Sequence, residues 1–228
     1  MESRDNQRKR IAAQAAVALV EPGMIVGLGT GSTAGFAVEA LAARVAQGLA
    51  VRAVATSQRT DWQARRLAIP LLDLADVAQV DLCIDGVDEI DPQLRAIKGA
   101  GGAMLREKVV AGAARRMVAI ADASKAVAAL GARALPVEVL PQARAFVARQ
   151  LGLLGCDPVL RRDGAGVPVL TDQGNIILDC HGAPLGDPDA LAWGMEGIPG
   201  LLGHGLFLTQ VDVLYLGTDD GAVCTPRP

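Results

Sequence analysis

No two of the four cysteines in this 228-residue chain are spaced as CxxC. Cys83, Cys156, Cys180 and Cys224 stand far apart, which withdraws support from a zinc site or a disulfide framework and leaves ordinary reduced thiols as the expectation. Histidine is scarce as well. His181 and His204 are the only two, neither has a second histidine at metal-ligand spacing, and both read as structural or surface groups. GKS and GKT do not occur, which excludes a P-loop. No apolar run is long enough to span a bilayer: the Ala-rich stretch 11–20, after the charged start MESRDNQRKR, is short and lacks a signal-peptide cleavage pattern. A cytoplasmic location without a membrane partner is therefore expected. A large charge of one sign is also missing: a net charge of −3 gives no overall attraction for nucleic acid, so any anion site must be local.

What is present is core-forming material. With 51% hydrophobic residues the chain is able to fill one large domain or two modest ones. The spacing predicts a helix over 5–20, stopped by Glu21-Pro22-Gly23, then an apolar run at 24–28 entering a Gly/Ser/Thr cluster. A helix over 33–46, a strand at 51–55, a helix at 61–67, apolar segments at 70–74 and 80–84, a helix over 104–114 and a buried strand at 117–121 follow. This βαβα alternation implies an α/β fold, a mostly parallel sheet covered by helices on both faces, with functional groups at the carboxyl ends of its strands. Near Leu130 the texture changes. Strands at 135–139, 159–162, 169–171 and 175–179 and helices at 141–151 and 189–195 suggest a small α+β unit, before the apolar strand 211–216 returns to the first sheet. The expected division is 1–129 with 205–228 as the main domain and 130–204 as an insertion.

Four stretches put chemically useful residues at strand ends. Gly29-Thr30-Gly31-Ser32-Thr33 lies between a strand and a helix, where glycines turn backbone N–H groups toward an anion and hydroxyls add donors, so it reads as a phosphate cradle. A tight turn with a Ser or Thr cap fits the same residues equally well. A dinucleotide fingerprint fits worse, because Ala34 takes the third glycine position. Asp85-Gly86-Val87-Asp88-Glu89-Ile90-Asp91 is ordinarily a solvated acidic loop, but at the end of a buried strand its carboxylates could accept sugar hydroxyls. As a metal site it lacks distinctive ligand spacing, and no metal is expected. The stretch 98–108, KGAGGAMLREK, sets Lys98 beside a glycine turn and Glu107 on the next helix, a pairing able to stabilise an oxyanion while removing a carbon-bound proton. Taken alone, Arg106, Glu107 and Lys108 are more simply a solvated helix face. Asp122-Ala-Ser-Lys125 could present Lys125 to a phosphate, or Asp122 or Ser124 could merely cap a helix.

Taken together and in order, GLGTGSTA (27–34), DGVDEID (85–91), KGAGGAMLREK (98–108), ADASK (121–125), LPVEVLP (135–141), TDQGNIILD (171–179) and IPGLLGHGLF (198–207) closely resemble the ribose-5-phosphate isomerase A family. The resemblance implies a Rossmann-like α/β domain with an inserted α+β, ferredoxin-like lid, no cofactor, no metal, and assembly as a homodimer or homotetramer. It implies interconversion of D-ribose 5-phosphate and D-ribulose 5-phosphate through a cis-enediolate, in the non-oxidative pentose phosphate pathway. By motif, Glu107 is the general base and Asp85, Asp88 and Lys98 assist it. Thr30, Gly31, Ser32 and Thr33, then Asp85, Gly86, Val87 and Asp88, then Lys98, Gly99, Ala100 and Gly101, and finally Lys125 would contact the sugar phosphate. Ala100 departs from the glycine of many members and would object to a positive φ. Glu107 is expected to stay mainly ionised at neutral pH, although a dry site would raise its pKa. The alternatives are a non-catalytic phosphosugar sensor, disfavoured by the retained Glu107 and Lys98, and a hydride-transfer enzyme, disfavoured by the glycine spacing.

Overall fold

The computed structural model describes residues 3–228; the first two residues of the segment 1–129 lie outside it. Ser3 caps α1 (Arg4–Val17) by accepting from the Asn6 N–H, and the helix ends before Pro22. The chain then runs through β1 (Ile25–Leu28), α2 (Ser32–Ala46), β2 (Arg52–Ala55), α3 (Gln58–Arg66), β3 (Leu82–Gly86), β4 (Glu89–Ile90), β5 (Ala96–Ile97), α4 (Met104–Ala113) and β6 (Met117–Asp122). A second group follows: β7 (Leu135–Val139), α5 (Arg144–Leu153), β8 (Asp157–Leu160), β9 (Ile176–His181), α6 (Pro188–Glu196) and β10 (Leu201–His204). The chain closes with β11 (Leu206–Phe207), β12 (Val213–Thr218) and β13 (Gly221–Pro226).

The principal sheet has the order β13-β12-β6-β3-β1-β2 and is parallel except for the β12–β13 hairpin. Its inner strands β1, β3 and β6 read as continuous apolar runs because helices cover both faces. Ala13 and Val17 of α1, Val38 and Leu41 of α2 and Ala64 of α3 fill one side, whereas Val110 and Ala111 of α4, with Phe207, fill the other. From β1 the chain moves outward to β2, while β3 lies on the opposite side of β1, so the order reverses between β1 and β3. The crevice at their carboxyl ends is the place where such sheets bind ligands.

The β7-α5-β8-β9-α6-β10 succession makes an antiparallel sheet of order β10-β7-β9-β8, the ferredoxin-like arrangement, packed on α5 and α6 through Val137, Val139, Leu151, Leu178 and Met195. This is an inserted lid, since β12 returns to the principal sheet beside β6. A third, three-stranded sheet of order β11-β5-β4 joins the two and ends β5 one residue before Lys98. One local expectation differs from the structure, and one of the apolar segments takes little part in a sheet. The strand at 169–171 is reduced to a single bridge, Leu170 with Ile176, and the segment 70–74 contributes only a bridge from Leu71 to Ala53. Both stretches lie beside sheet edges, where pairing stops after one residue. Among the described residues no helix is long and apolar enough to cross a membrane.

α1 lies so close to β12 that a Cβ at Gly217 would collide with the Arg8 carbonyl oxygen. Gly217→Ala is therefore expected to lower stability by about 1–3 kcal/mol through overpacking. Urea denaturation measures this, and an unchanged midpoint would contradict the packing described.

Candidate active site

Asp85 is the penultimate residue of β3, and everything around it is arranged to hold one carboxylate. Its Oδ1 accepts from the Thr30 N–H at 3.0 Å and the Gly86 N–H at 2.7 Å, and its Oδ2 lies 3.0 Å from Lys98 Nζ. A Cβ at position 29 would overlap the Asp85 carboxylate, which is why the loop after β1 needs glycine there. The loop is braced from the other side by hydroxyls. Thr30 Oγ1 lies 2.8 Å from Thr56 Oγ1 and donates to Ser57 Oγ at 2.7 Å, while Thr60 Oγ1 donates to the Gly29 carbonyl at 2.9 Å. Gly31, at φ 117°, opens α2, and no described side chain caps that helix. Its first-turn N–H groups are left for a ligand.

Lys98 is 2% exposed and stands between two acids. Besides Asp85 it faces Glu107 Oε2 at 3.4 Å, donates to the Gly86 carbonyl, and sits 5.5 Å from the centre of the Phe207 ring. Burial alone would lower its pKa, but Asp85 and Glu107 outweigh burial and raise it, so the amine is a fixed cation. Glu107, on the first turn of α4, is 4% exposed, and its Oε2 has no hydrogen-bond partner among the described residues. Burial pushes the Glu107 carboxyl up from the ordinary 4.5 to about 8; Lys98 opposes that rise and Asp85 adds to it. Burial likewise raises Asp85, against Lys98. The expectation of a mainly ionised Glu107 at neutral pH is thereby corrected: burial beside Asp85 raises the carboxyl to about 8, and Lys98 offsets only part of that rise.

These groups open onto one cavity of about 220 Å³. Thr30, Gly31, Ser32 and Thr33 line one part; Gly86, Val87 and Asp88 line another; Lys98, Gly99, Ala100 and Gly101 with Glu107 line a third; and Lys125 completes the wall. Four separate stretches thus converge at the carboxyl ends of β1, β3 and β6. Asp85 differs from the rest of the expected contact residues: it is completely buried behind the wall, so it acts on the cavity through Lys98 and the Thr30 and Gly86 amides. Asp88 is in the wall, with Oδ2 accepting from the Ala100 N–H at 2.9 Å. Gly99 and Gly102 take φ values of 105° and 76°, whereas Ala100 is not among the residues at positive φ, so its methyl group is accommodated without strain. His181 and His204 lie outside the cavity; His204 Nδ1 meets Lys108 Nζ at 3.2 Å. Among the described residues no three His, Cys, Asp or Glu side chains converge as metal ligands do. The Thr56, Ser57 and Thr60 braces were not legible as part of the site, although TSQRT directly follows β2, the neighbour of β1 in the sheet.

Fold and cavity define an α/β protein whose switch-point crevice joins an anion cradle to a buried lysine–carboxylate cluster. The model for "Ribose 5-phosphate isomerase A (phosphoriboisomerase A)" matches residues 52–221, and the chain belongs to that family. It is 50% identical over 222 residues to ribose-5-phosphate isomerase A of Roseiflexus castenholzii, covering 96% of this chain and 95% of the relative. The crystal structure of ribose 5-phosphate isomerase A from Neisseria gonorrhoeae is 39% identical with a TM-score of 0.92, covering both chains fully. A D-ribose-5-phosphate isomerase in complex with phospho-erythronic acid is 32% identical with a TM-score of 0.94, covering 99% of this chain and 100% of that one. Membership of this enzyme family sets aside the sensor and hydride-transfer readings.

Because folded Glu107 keeps a proton that the unfolded chain releases above about 4.5, unfolding between about 4.5 and about 8 releases protons. The sign follows: Glu107 favours the fold most below about 4.5, and that contribution is lost as pH rises to about 8. Glu107→Gln is expected to gain stability relative to wild type across this window. Thermal melts at a series of pH values test this, and a constant difference would contradict the raised pKa.

Proposed function

We propose that this chain interconverts D-ribose 5-phosphate and D-ribulose 5-phosphate with Glu107 as the general base. The observation that supports this most directly is the Glu107 carboxylate oxygen, buried without a hydrogen-bond partner among the described residues and 3.4 Å from a charged lysine, in the wall of a cavity whose other end is a glycine and hydroxyl cradle. The 5-phosphate sits on the first turn of α2, against Thr30 to Thr33, with Lys125 as counter-charge. This places the open-chain carbonyl toward Lys98 and Glu107.

Ionised Glu107 removes the C2 proton of the aldose, leaving a cis-enediolate, and returns it to C1. The hydroxyl proton travels from O2 to O1, so the aldehyde becomes a hydroxymethyl group and C2 becomes the ketone. Lys98 stabilises the charge that develops on oxygen. Asp88, the loop acid in the cavity wall, is suited to the hydroxyl proton and to ring opening, and Asp85 fixes Lys98 from behind. A carboxyl with a raised pKa is a stronger base once ionised, and burial, with Asp85, supplies that rise against the opposing pull of Lys98. We assign residues 130–204 to the lid and 1–129 with 205–228 to the catalytic domain. We also assign the chain to the cytoplasm, in keeping with its unpaired cysteines. Exposed Trp193 and Leu153 supply apolar surface for assembly as a homodimer or homotetramer.

Ribulose 5-phosphate formation is expected to persist in excess chelator and to fall at least about 10²-fold in folded Glu107→Gln. Full turnover in that variant would remove Glu107 from the mechanism. In the wild type, kcat/KM is expected to climb about tenfold per pH unit toward a plateau above about 8, as free-enzyme Glu107 ionises. A flat profile from pH 6 to 8 would contradict that assignment.

A further inference from the structure

One lid side chain reaches the loop that carries Lys98. Arg161 follows β8 and lies diagonally across the strand pair from Asp179 of β9, because its N–H continues the ladder to the Ile177 carbonyl. Its Nε and Nη2 donate to the two Asp179 oxygens at 2.8 and 2.5 Å, a bidentate pair that fixes the guanidinium plane. The remaining nitrogen, Nη1, points at the catalytic domain and donates to the carbonyls of Gly99 at 2.9 Å and Ala100 at 3.1 Å.

A trans peptide holds its C=O and N–H in opposite directions. With the Gly99 carbonyl on Arg161, the Ala100 N–H must point away from the lid, and it does so, donating to Asp88. With the Ala100 carbonyl on Arg161, the Gly101 N–H is likewise turned from the lid. Gly101 lines the cavity, and no described protein group accepts from its N–H. The loop's glycines, at φ 105° and 76°, have wide backbone freedom; the Gly102 N–H and Asp88 hold the Gly99–Ala100 peptide from within, and Arg161 adds a hold from the lid, the one that reaches the Ala100 carbonyl.

We propose that Arg161, held by Asp179, is a positioning residue for the isomerisation, orienting the peptide groups 99–101 so that the Gly101 N–H joins Lys98 as a donor to the oxygen on which charge develops. The inference rests on the assignment of the Lys98 loop to the reacting end of the substrate. Preorganised donors act in the transition state, so the clamp belongs to kcat more than to phosphate binding. A lysine cannot replace it, since one ammonium cannot grip a carboxylate side-on while meeting two carbonyls in fixed directions.

The test compares Arg161→Gln, Arg161→Lys and Asp179→Asn with wild type in kcat, KM and thermal midpoint, and in calorimetric affinity for phospho-erythronic acid and for inorganic phosphate. In Arg161→Gln, kcat is expected to fall about 10- to 10²-fold, the scale of a misplaced catalytic group. Affinity for phospho-erythronic acid should fall with it, while inorganic phosphate, which needs only the cradle and Lys125, binds as before. Arg161→Lys should not restore kcat, and Asp179→Asn should lose an intermediate amount. Wild-type kcat in Arg161→Gln, full rescue by lysine, or an equal loss of phosphate affinity would each overturn the proposal. Should Arg161→Gln not fold, the lysine and Asp179→Asn variants carry the same comparison. Glu107→Gln, run alongside, separates the two ideas: turnover retained there defeats the base assignment whatever Arg161 does.

Discussion

The placement of Lys98 between two buried carboxylates governs the rest of this molecule. A lone ammonium at that depth would be driven to neutrality, and a lone acid would stay protonated. Together they keep a cation at the base of the cavity and hold the Glu107 carboxyl well above its ordinary pKa. The surrounding architecture serves that cluster: Gly29 leaves room for the Asp85 carboxylate, the Thr30 and Gly86 amides satisfy its other oxygen, and Phe207 closes the floor beneath the amine. Such a cluster is costly to desolvate and is weak as a source of stability. In the mechanism proposed above, its value lies in a charge that does not have to reorganise during reaction.

The lid is tied to the rest of the chain in two further places. Glu89, buried on β4, accepts from the N–H groups of Gly131 and Arg133 at the point where the chain crosses into the lid. At the far tip, Asp172 accepts from the Gln58 N–H at 2.6 Å, at the start of α3. The lid is therefore tied to the loops that build the cradle as well as to the Lys98 loop. Within the lid, Glu138 anchors the turn that carries Asp172, accepting from Thr171 Oγ1 at 2.8 Å and Asn175 Nδ2 at 2.9 Å. The turn at 171–175 is thus joined to the segment 56–60 that braces the cradle loop.

The α/β class was legible because β1, β3 and β6 are mainly apolar runs that end in, or lead directly into, glycine or acid, a pattern that local sequence carries in full. Most of the cavity residues were legible for a related reason: parallel strands deliver their following loops to one edge, so Thr30, Asp88 and Lys125, after β1, β3 and β6, had to meet, whereas Lys98 is brought there by β5 of the small antiparallel sheet. The two-residue strands β4, β5 and β11 were not legible, since two residues have no period and pair only through distant partners. The exposed strand β13 offered no apolar alternation either. Depth was hidden in the same way. Asp85 and Asp88 look equivalent in the sequence, yet one is sealed behind the wall and the other faces the cavity. The rise in the Glu107 pKa depends on burial by residues far along the chain, which no spacing rule reports.

The insertion also sets a schedule for the growing chain. β12 lies directly against β6, with Val213 opposite Val118, and β13 forms the sheet edge beyond it. While the lid is being synthesised, β6 has one side without its neighbour, an unpaired strand edge on an otherwise apolar sheet. Long-range parallel pairing of this kind is slow, and incomplete sheets invite contact with other chains. The half-made catalytic domain must wait for an entire second unit to emerge before its own sheet is closed, so the nascent protein is most vulnerable to misassembly after much of its core has already formed.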